Sequence, residues 1–412
     1  MAINTTAPAR TGEVLFKQET TAGEAIADPA TYWPTSPRKG RFWDIAPAGL
    51  KRESEADQSM RPRVFADPPH ILLGQKAVMT MKAFLHPLNQ TGADATVTTE
   101  DDFGRLLKGA LGGSFYGQTR KAGAASGTGA TTALQVDSTV GLTAGGAIRV
   151  SGECRRIVSI DSGTTLTTDM DFSAAPALNT LVVAAGTTYL DQDALSNLAD
   201  ANHLTFAALF RGAHSEDQWQ LRGGSWEITG FENLNGGEAA KIGLTLHGLA
   251  WAHVTGVASQ GAGTETHPAA NVASTTGGGL YCQATATVTR QYRHTSSLSF
   301  SPGLARQEIK SPFGIEGIAG YVINAGRSVL EFDTFYDTEF ATGYHAGTTF
   351  YAGIQLGARL LLTFPLLYIS EEPERTNVNG VTGVKVKMHC DEGSVTTSDL
   401  TRSRFAIHRF PA

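Results

Sequence analysis

Between Gly223 and Trp251, apolar and polar residues alternate in two short runs separated by Asn235-Gly236-Gly237. Ile242, Leu244 and Leu246 fall on one face of a strand, with Gly243, Thr245 and His247 on the other. Trp226, Ile228 and Phe231 open the partner strand, and the glycines admit the positive φ of the connection. The pattern predicts a twisted hairpin whose apolar face packs on a core while the other face stays wet. The period of two recurs from Gln75 to Leu85, where Ala77, Met79, Met81 and Ala83 alternate with Val78, Thr80, Lys82 and Phe84. RFWDIAPAG at 41–49 reads as a strand entering a turn. Leu50 to Ile71, polar and proline-bearing, reads as a projecting loop that carries an interaction. A helical period places Phe103, Leu106, Leu107 and Leu111 on one stripe and predicts a helix within Thr98 to Gly113. Thr99 is its expected cap, Glu100, Asp101 and Asp102 fill the first turn, and Gly112-Gly113 stop it.

Shifts in this patterning divide the chain. Residues 1–40, rich in Pro, Ala and Thr, read as an N-terminal arm whose Val14, Phe16 and Glu19 to Ala27 are placed to dock on a neighbour. Residues 41–117 and 188–256 make a first, discontinuous domain, with a helix expected over Ala194 to Asn202 and a strand over Leu204 to Phe210. Residues 118–187 form an inserted β-domain of short strands, TALQVDST, AIRVSG, CRRIVSI, TTLTTD and TLVVAAG. Its Gly/Ala/Ser/Thr leader is a flexible linker, so the module is expected on an outer surface. Residues 257–278 form a second linker, and 279–412 a second strand-rich domain.

The two sides of that linker resemble each other. WDIAPAGLKRE, from Trp43, parallels LSFSPGLARQE, from Leu298, and the paired leucines Leu50 and Leu304 are 254 residues apart. AVMTMKAF, from Ala77, parallels SVLEFDTF, from Ser328, an offset of 251. An acid-led, helix-like segment follows each, EDDFGRLLKGA and YDTEFATGYHA, and each half closes with a long hairpin. The order of elements predicts an internal duplication.

Composition sharpens the fold class. Of 412 residues, 41% are hydrophobic, only 17% are charged and 46 are glycine, a bias toward strands and turns. The expected class is mainly β. A net charge of −6 argues against a protein that grips nucleic-acid phosphate. Cys154, Cys282 and Cys390 lie far apart and match neither a zinc spacing nor a disulfide framework. No apolar stretch is long enough for a membrane span, and Met1 to Arg10 lacks a signal-peptide core. His203, His214, His247 and His253 lack a metal-ligand spacing, and His247 is expected to be solvated. Asp161, Asp169 and Asp171 fit turns better than a cation site, and Asp191, Asp193 and Asp200 flank the helix expected nearby. Gly145-Gly146 and Gly277-Gly278-Gly279 lack the setting of a phosphate loop, and Ser225 and Ser301 lack that of a nucleophile elbow. Trp226 and Trp251 read as core or interface anchors, and no catalytic residue, metal or cofactor is expected.

GGSWEITGFENLNGGEAAKIGLTLHG resembles the closing hairpin of phage tail tube (major tail) proteins. SSLSFSPGLARQEIK, GIAGYVINAGRSVLEFDTFYD and AGTTFYAGIQLG are similar to a second copy of that family pattern. TTALQVDSTVGLTAGGAIRVSGECRRIVSID resembles the small β-modules that decorate phage tail and baseplate proteins. The length departs from the family's usual single domain. The resemblance implies two tandem tail-tube-type β-sandwich or barrel domains, each with a short helix, plus the inserted module. It further implies a structural virion protein of the tail, made in the host cytoplasm, without membrane insertion. Three chains would close a pseudo-hexameric ring, the runner-up being a homohexamer. Stacked rings would conduct DNA without binding it specifically and would house the tape measure protein. Baseplate or terminator proteins are the remaining expected partners. Expected ring-stacking and interface residues are Arg52, Glu53, Arg61, Arg63, Phe65, Arg306, Glu308, Phe313 and Tyr321. A baseplate hub or distal tail protein sharing the fold, and a carbohydrate-binding β-protein, are the alternatives.

Overall fold

Strand alternation dominates the molecule. The computed structural model describes residues 13–33, 38–40, 42–46, 51–56, 70–88, 101–111, 116–117, 133–191, 204–211, 218–235, 239–254, 279–285, 292–315, 318–393 and 399–411. Among these residues the chain is mainly β, with 59% strand against 10% helix. The first half contains β1 (Glu13–Gln18), α1 (Pro29–Tyr32), β2 (Arg38–Gly40), β3 (Phe42–Ala46), β4 (Lys51–Ala56), β5 (His70–Phe84), α2 (Asp102–Leu111) and β6 (Tyr116–Gly117). The insertion supplies β7 (Ala133–Gln135), β8 (Ala147–Val150), β9 (Glu153–Ile160), β10 (Thr165–Thr168) and β11 (Val182–Ala184). The chain then runs through β12 (Thr187–Leu190), β13 (Phe206–Arg211), β14 (Gln218–Glu232), β15 (Lys241–Gly248) and β16 (Ala250–Val254). The second half opens with β17 (Gly279–Ala284), β18 (Tyr292–Arg293), β19 (Thr295–Ser301), β20 (Leu304–Ile315), β21 (Ile318–Ala325) and β22 (Ser328–Phe335). It ends with α3 (Thr338–Ala346), β23 (Thr349–Leu356), β24 (Leu360–Ile369), β25 (Glu374–Val378), β26 (Val381–Cys390), α4 (Asp399–Arg402) and β27 (Ala406–Arg409).

The two halves follow the same pairing sequence. In the first, β3 and β4 pair with β5, then β15, β14, β13, β1 and β2 follow in turn, all antiparallel. In the second, β19 pairs with β22, then β26, β24, β23, β17 and β18 follow. The β20–β21 ribbon stands where β4 and the start of β5 stand. Late strands also correspond: β16 lies beside the start of β14 as β27 lies beside the start of β24. Gly223, with φ 62°, marks the point where β14 changes partner, and a Cβ there would fall 2.5 Å from Leu249.

The expected core positions are the buried ones. Ile242, Leu244, Leu246, Ala77, Met79, Met81, Ala83 and the α2 stripe all lie in one apolar core that runs through both halves. The halves meet where Phe231 stands opposite Phe300, their rings stacked 5.5 Å apart. Four expectations change. The second face of β15 is not wet: Gly243 and Thr245 are buried and His247 is half-buried. Residues 13–18, expected in an arm, form an inner strand with Val14, Leu15 and Phe16 buried, because β13 would otherwise present an unpaired edge. Within the segment 50–71, residues 51–56 and 70–71 are paired strand, β4 against β5, and residues 57–69 lie outside the described residues. Asp101 occupies the cap of α2, a role expected of Thr99, accepting from the Gly104 N–H at 2.7 Å. Thr99, the helix expected at 194–202 and the linkers at 118–132 and 257–278 lie outside the described residues.

The C-terminal strand ties the halves together. β27 adds to β24 on one side and to β12 on the other, and β12 continues to β6. From β27 the fully buried Arg409 reaches the cap of α2, with Nη1 2.8 Å and Nη2 2.5 Å from the two Asp101 oxygens. Its Nε donates to the His86 carbonyl and Nη2 to the Pro87 carbonyl, at 3.1 and 2.8 Å, and its guanidinium lies over Phe103. Burial opposes its charge, yet the Asp101 carboxylate holds the guanidinium pKa above its usual value. Its neighbour His408 is buried between Thr188 and Thr363, whose hydroxyls lie 3.0 Å from Nδ1 and Nε2. Burial pushes His408 down to about 3, so the imidazole stays neutral and joins β12, β27 and β24.

The insertion is docked rather than loosely tethered. It has its own small core, including Leu134, Ile148, Ile157 and Leu166. A separate cluster joins Cys154 and Met170 to Tyr281, Leu361 and Phe410 of the second half. The Tyr281 hydroxyl donates to Asp169 at 2.9 Å, and Gln355 accepts from the Cys154 N–H at 2.9 Å. Gln355 also donates to the Gly152 carbonyl at 2.8 Å, while Arg149 donates to the Ala358 and Pro411 carbonyls.

Two predictions follow from this junction. Arg409→Met leaves Asp101 buried and unpaired and is expected to lower unfolding free energy by about 3–5 kcal/mol, read from denaturant midpoints. His408 has a folded pKa below its unfolded value of 6.5, so its contribution is present above 6.5 and is lost as pH falls toward 3. The denaturation midpoint of the wild type should therefore fall more steeply than that of His408→Gln between pH 6.5 and 4.

Candidate self-association surfaces

Two β-ribbons carry six of the nine residues expected to act between subunits. Gly303, φ 66°, starts the β20–β21 ribbon, and a Cβ there would fall 2.4 Å from the Arg327 carbonyl oxygen. The Gly-Leu pair of the sequence repeat thus marks a turn only glycine makes comfortably. The strands run in register from Leu304 opposite Ala325 to Glu308 opposite Tyr321. Ile309, next in register opposite Gly320, is 48% exposed, and Phe313, beyond the register, is 98% exposed, large apolar side chains standing in solvent.

The base of the ribbon is spent inside the chain. Arg306 crosses from the second half to the first, where its Nη2 donates to the Gly109 and Ala110 carbonyls at 2.9 and 2.8 Å. Those carbonyls belong to the last turn of α2, where partial negative charge gathers. The Arg306 N–H donates to Glu227 at 3.0 Å, and Glu227 also meets His247 Nε2 at 2.9 Å. Tyr321 donates its hydroxyl to the Gly248 carbonyl at 2.9 Å and lies 5.5 Å, ring to ring, from His247. Burial pulls the Arg306 guanidinium down to about 10 against the pull of Glu227. Burial raises Glu227 too, but the bonds from His247 and the Arg306 N–H and the two nearby charges outweigh it, leaving the carboxyl below its ordinary value. Burial and the neighbouring Glu308 push the Tyr321 phenol up.

The nine expected interface residues therefore separate. Arg306 and Tyr321 fasten one half to the other, Glu308 is half-buried beside Tyr321, and Phe313 stands free of the body. Arg52 and Glu53 lie in β4, paired through their backbones with Gln75 and Gly74, and their side chains are outside the described residues. Arg61, Arg63 and Phe65 also lie outside the described residues. Glu227, His247 and the end of α2 complete the contact, and none was marked by a motif. The only sequence signal for Glu227 was its alternation with Trp226 and Ile228, which places it on the face shared with the cross-strand Thr245.

Unpaired strand margins are the second surface. Among the described residues β16 pairs only with β14, β18 only with β17, and β25 only with β26. On the β14–β16 margin, Trp219 and Trp251 lie 4.7 Å apart, centroid to centroid. The corresponding margin of the second half, at β27, is covered by β12.

Of the acidic residues weighed as turns, Asp161 accepts from Ser159 and Thr167, while Asp169 is buried against Tyr281. Trp226 lies wholly in the core, and His203 and His214 are outside the described residues. Among the described residues no helix is long and apolar enough to cross a membrane. Compared with known proteins, the chain matches no family model and none of the curated proteins.

Glu227 supplies a test of the ribbon contact. Its folded pKa lies below the unfolded 4.5, so its contribution is present above that pH and lost as pH falls through the folded value. The denaturation midpoint of Glu227→Gln should lie below the wild type at pH 7, and the gap should close below pH 4.5.

Proposed function

We propose that this chain is the subunit of a phage tail tube, with two tandem tube-type β-domains and an inserted β-module. Three chains form a ring of pseudo-sixfold symmetry, and stacked rings conduct DNA and house the tape measure protein. The observation that carries this reading is the repeated pairing sequence, joined by a head-to-tail contact. The second half's ribbon sits on the first half's helix and hairpin. Such a contact uses two different surfaces, so each chain retains one unused copy of each. Heterologous contacts of this kind generate rings when their rotation closes. Closure also pairs strand margins that would otherwise template aggregation.

A conducting tube must not hold its cargo. A subunit with net charge −6 lacks the excess of cations that would neutralise phosphates and release counterions. The inserted module, docked on β17 and β23 through Tyr281 and Gln355, adds mass to the second half. The residues that dock it, Tyr281, Gln355, Leu361 and Phe410, lie off the β20–β21 ribbon, so the same subunit can both carry the module and present that ribbon.

Electron microscopy and native mass measurement of the purified chain test the proposal. The expected particle is a ring of three copies with six similar densities around a central hole. Six copies per ring, or a chain that stays monomeric as concentration rises, would overturn it.

A further inference from the structure

The junction between the halves is directional, and the repeat says what remains unmatched. The second half offers its ribbon to the last turn of α2 and to the β14–β15 hairpin of the first. The first half has a ribbon of its own, β4–β5, and the second half has its own helix and hairpin, α3 with β24 and β26. Among the described residues β20 packs on β14 of the other half as well as on its partner β21, whereas β4 has no comparably extensive contact beyond β5.

The correspondence extends to single positions. Arg52 and Arg306 each stand two residues after the leucine of a Gly-Leu pair. His247 lies opposite Val78 of β5, and His389 lies opposite Val329 of β22, so the two histidines occupy the same place in their hairpins. The face of β26 bearing Lys385, Lys387 and His389 thus matches the face of β15 bearing Gly243, Thr245 and His247. On β15 that face is largely covered. On β26 it is charged, Lys385 pairing with Glu331 and Lys387 with Glu371.

The helices differ in the same sense. α2 is buried at nearly every position, and its last turn is capped by Arg306. α3 starts at an equivalent aspartate cap, Asp337, but His345, Ala346 and Gly347 at its far end are exposed. The backbone turns at Gly347, φ 63°, taking up the Gly343 and Tyr344 carbonyls. Among the described residues the His345 and Ala346 carbonyls accept no backbone hydrogen bond from outside the helix. A helix end of this kind attracts a cation.

We propose that the last turn of α3 and the charged face of β26 receive the β4–β5 ribbon of a second copy of this chain. Arg52 of that copy then serves α3 as Arg306 serves α2. The contact rests on the ring reading above and deepens it. It makes the interface between chains a repetition of the junction within each chain, so one set of interactions, used twice per chain, closes the assembly.

Cross-linking tests it. In the assembled double variant Arg52→Cys, Ala346→Cys, a short bismaleimide should produce a ladder of covalently joined chains. Either single variant should give none. Native thiols compete poorly: Cys154, Cys282 and Cys390 are buried, and burial pushes the first two up to about 12. Rings that form without the ladder would overturn the contact and leave the ring reading standing. A cross-link confined to single chains would also overturn the contact, because the ribbon would then lie on its own α3. A chain that never assembles would overturn both. As a second measure, Arg52→Glu should raise the concentration needed for assembly about tenfold or more, the effect of losing a charge-assisted hydrogen bond and adding a like charge. Its thermal midpoint should match wild type. Unchanged assembly in that variant would overturn the assigned role of Arg52.

Discussion

A guanidinium and a carboxylate buried against each other set the arrangement of this molecule. Arg409 comes from the last strand, and Asp101 caps the helix of the first half, 308 residues away in sequence. Each charge alone would be costly to remove from water. Together they satisfy one another, and the remaining guanidinium protons are taken by the His86 and Pro87 carbonyls and Tyr189. Such a pair discriminates more than it stabilises, because only one placement of β27 meets all its partners. The second half uses the same device locally. Asp337 caps α3 and is held by Arg293, at 2.5 Å, from β18. Both helices thus begin at an aspartate that also anchors an arginine from a sheet, which fixes each helix relative to its strands.

This constraint decides how the repeat is used. Two copies of one sheet design need not touch. Here they interlock, because β27 of the second half and β12 of the first are neighbours in one sheet and share the buried His408 bridge. The insertion belongs to the same interlock. It leaves the first half after β6, packs on β23 and the C-terminus, and returns through β12. Its docking surface combines an apolar cluster with hydrogen bonds, Gln355 reading the backbone of the Gly152–Cys154 turn in both directions. A module held in this way moves with the second half.

Asymmetry between the halves follows from the interlock. β16 and β27 occupy equivalent places, yet one is a margin and the other is covered. α2 and α3 are equivalent, yet one is enclosed and the other is open at its end. Equivalent surfaces are thus covered in one half and open in the other.

Much of the local structure was legible in the sequence. Period-two alternation located β5, β14 and β15, and the stripe Phe103, Leu106, Leu107 and Leu111 located α2, because burial of one face leaves that trace in any chain. The short strands of the insertion were visible for the same reason, and the order of elements predicted a repeat. Long-range pairing was not visible. Nothing local distinguishes residues 13–18 from an arm until β13 is seen to need a partner. Polar residues such as Asp101, Glu227, Arg306 and Arg409 look solvated in one dimension, since hydrophobic pattern carries no information about which distant charge or carbonyl will meet them. The sequence by itself determined which segments are strands and helices and which of their faces are apolar. Only the tertiary structure decided which strand adjoins which, whether a ribbon base is free or spent, and where buried charges find their counterparts, because those depend on contacts between residues hundreds of positions apart.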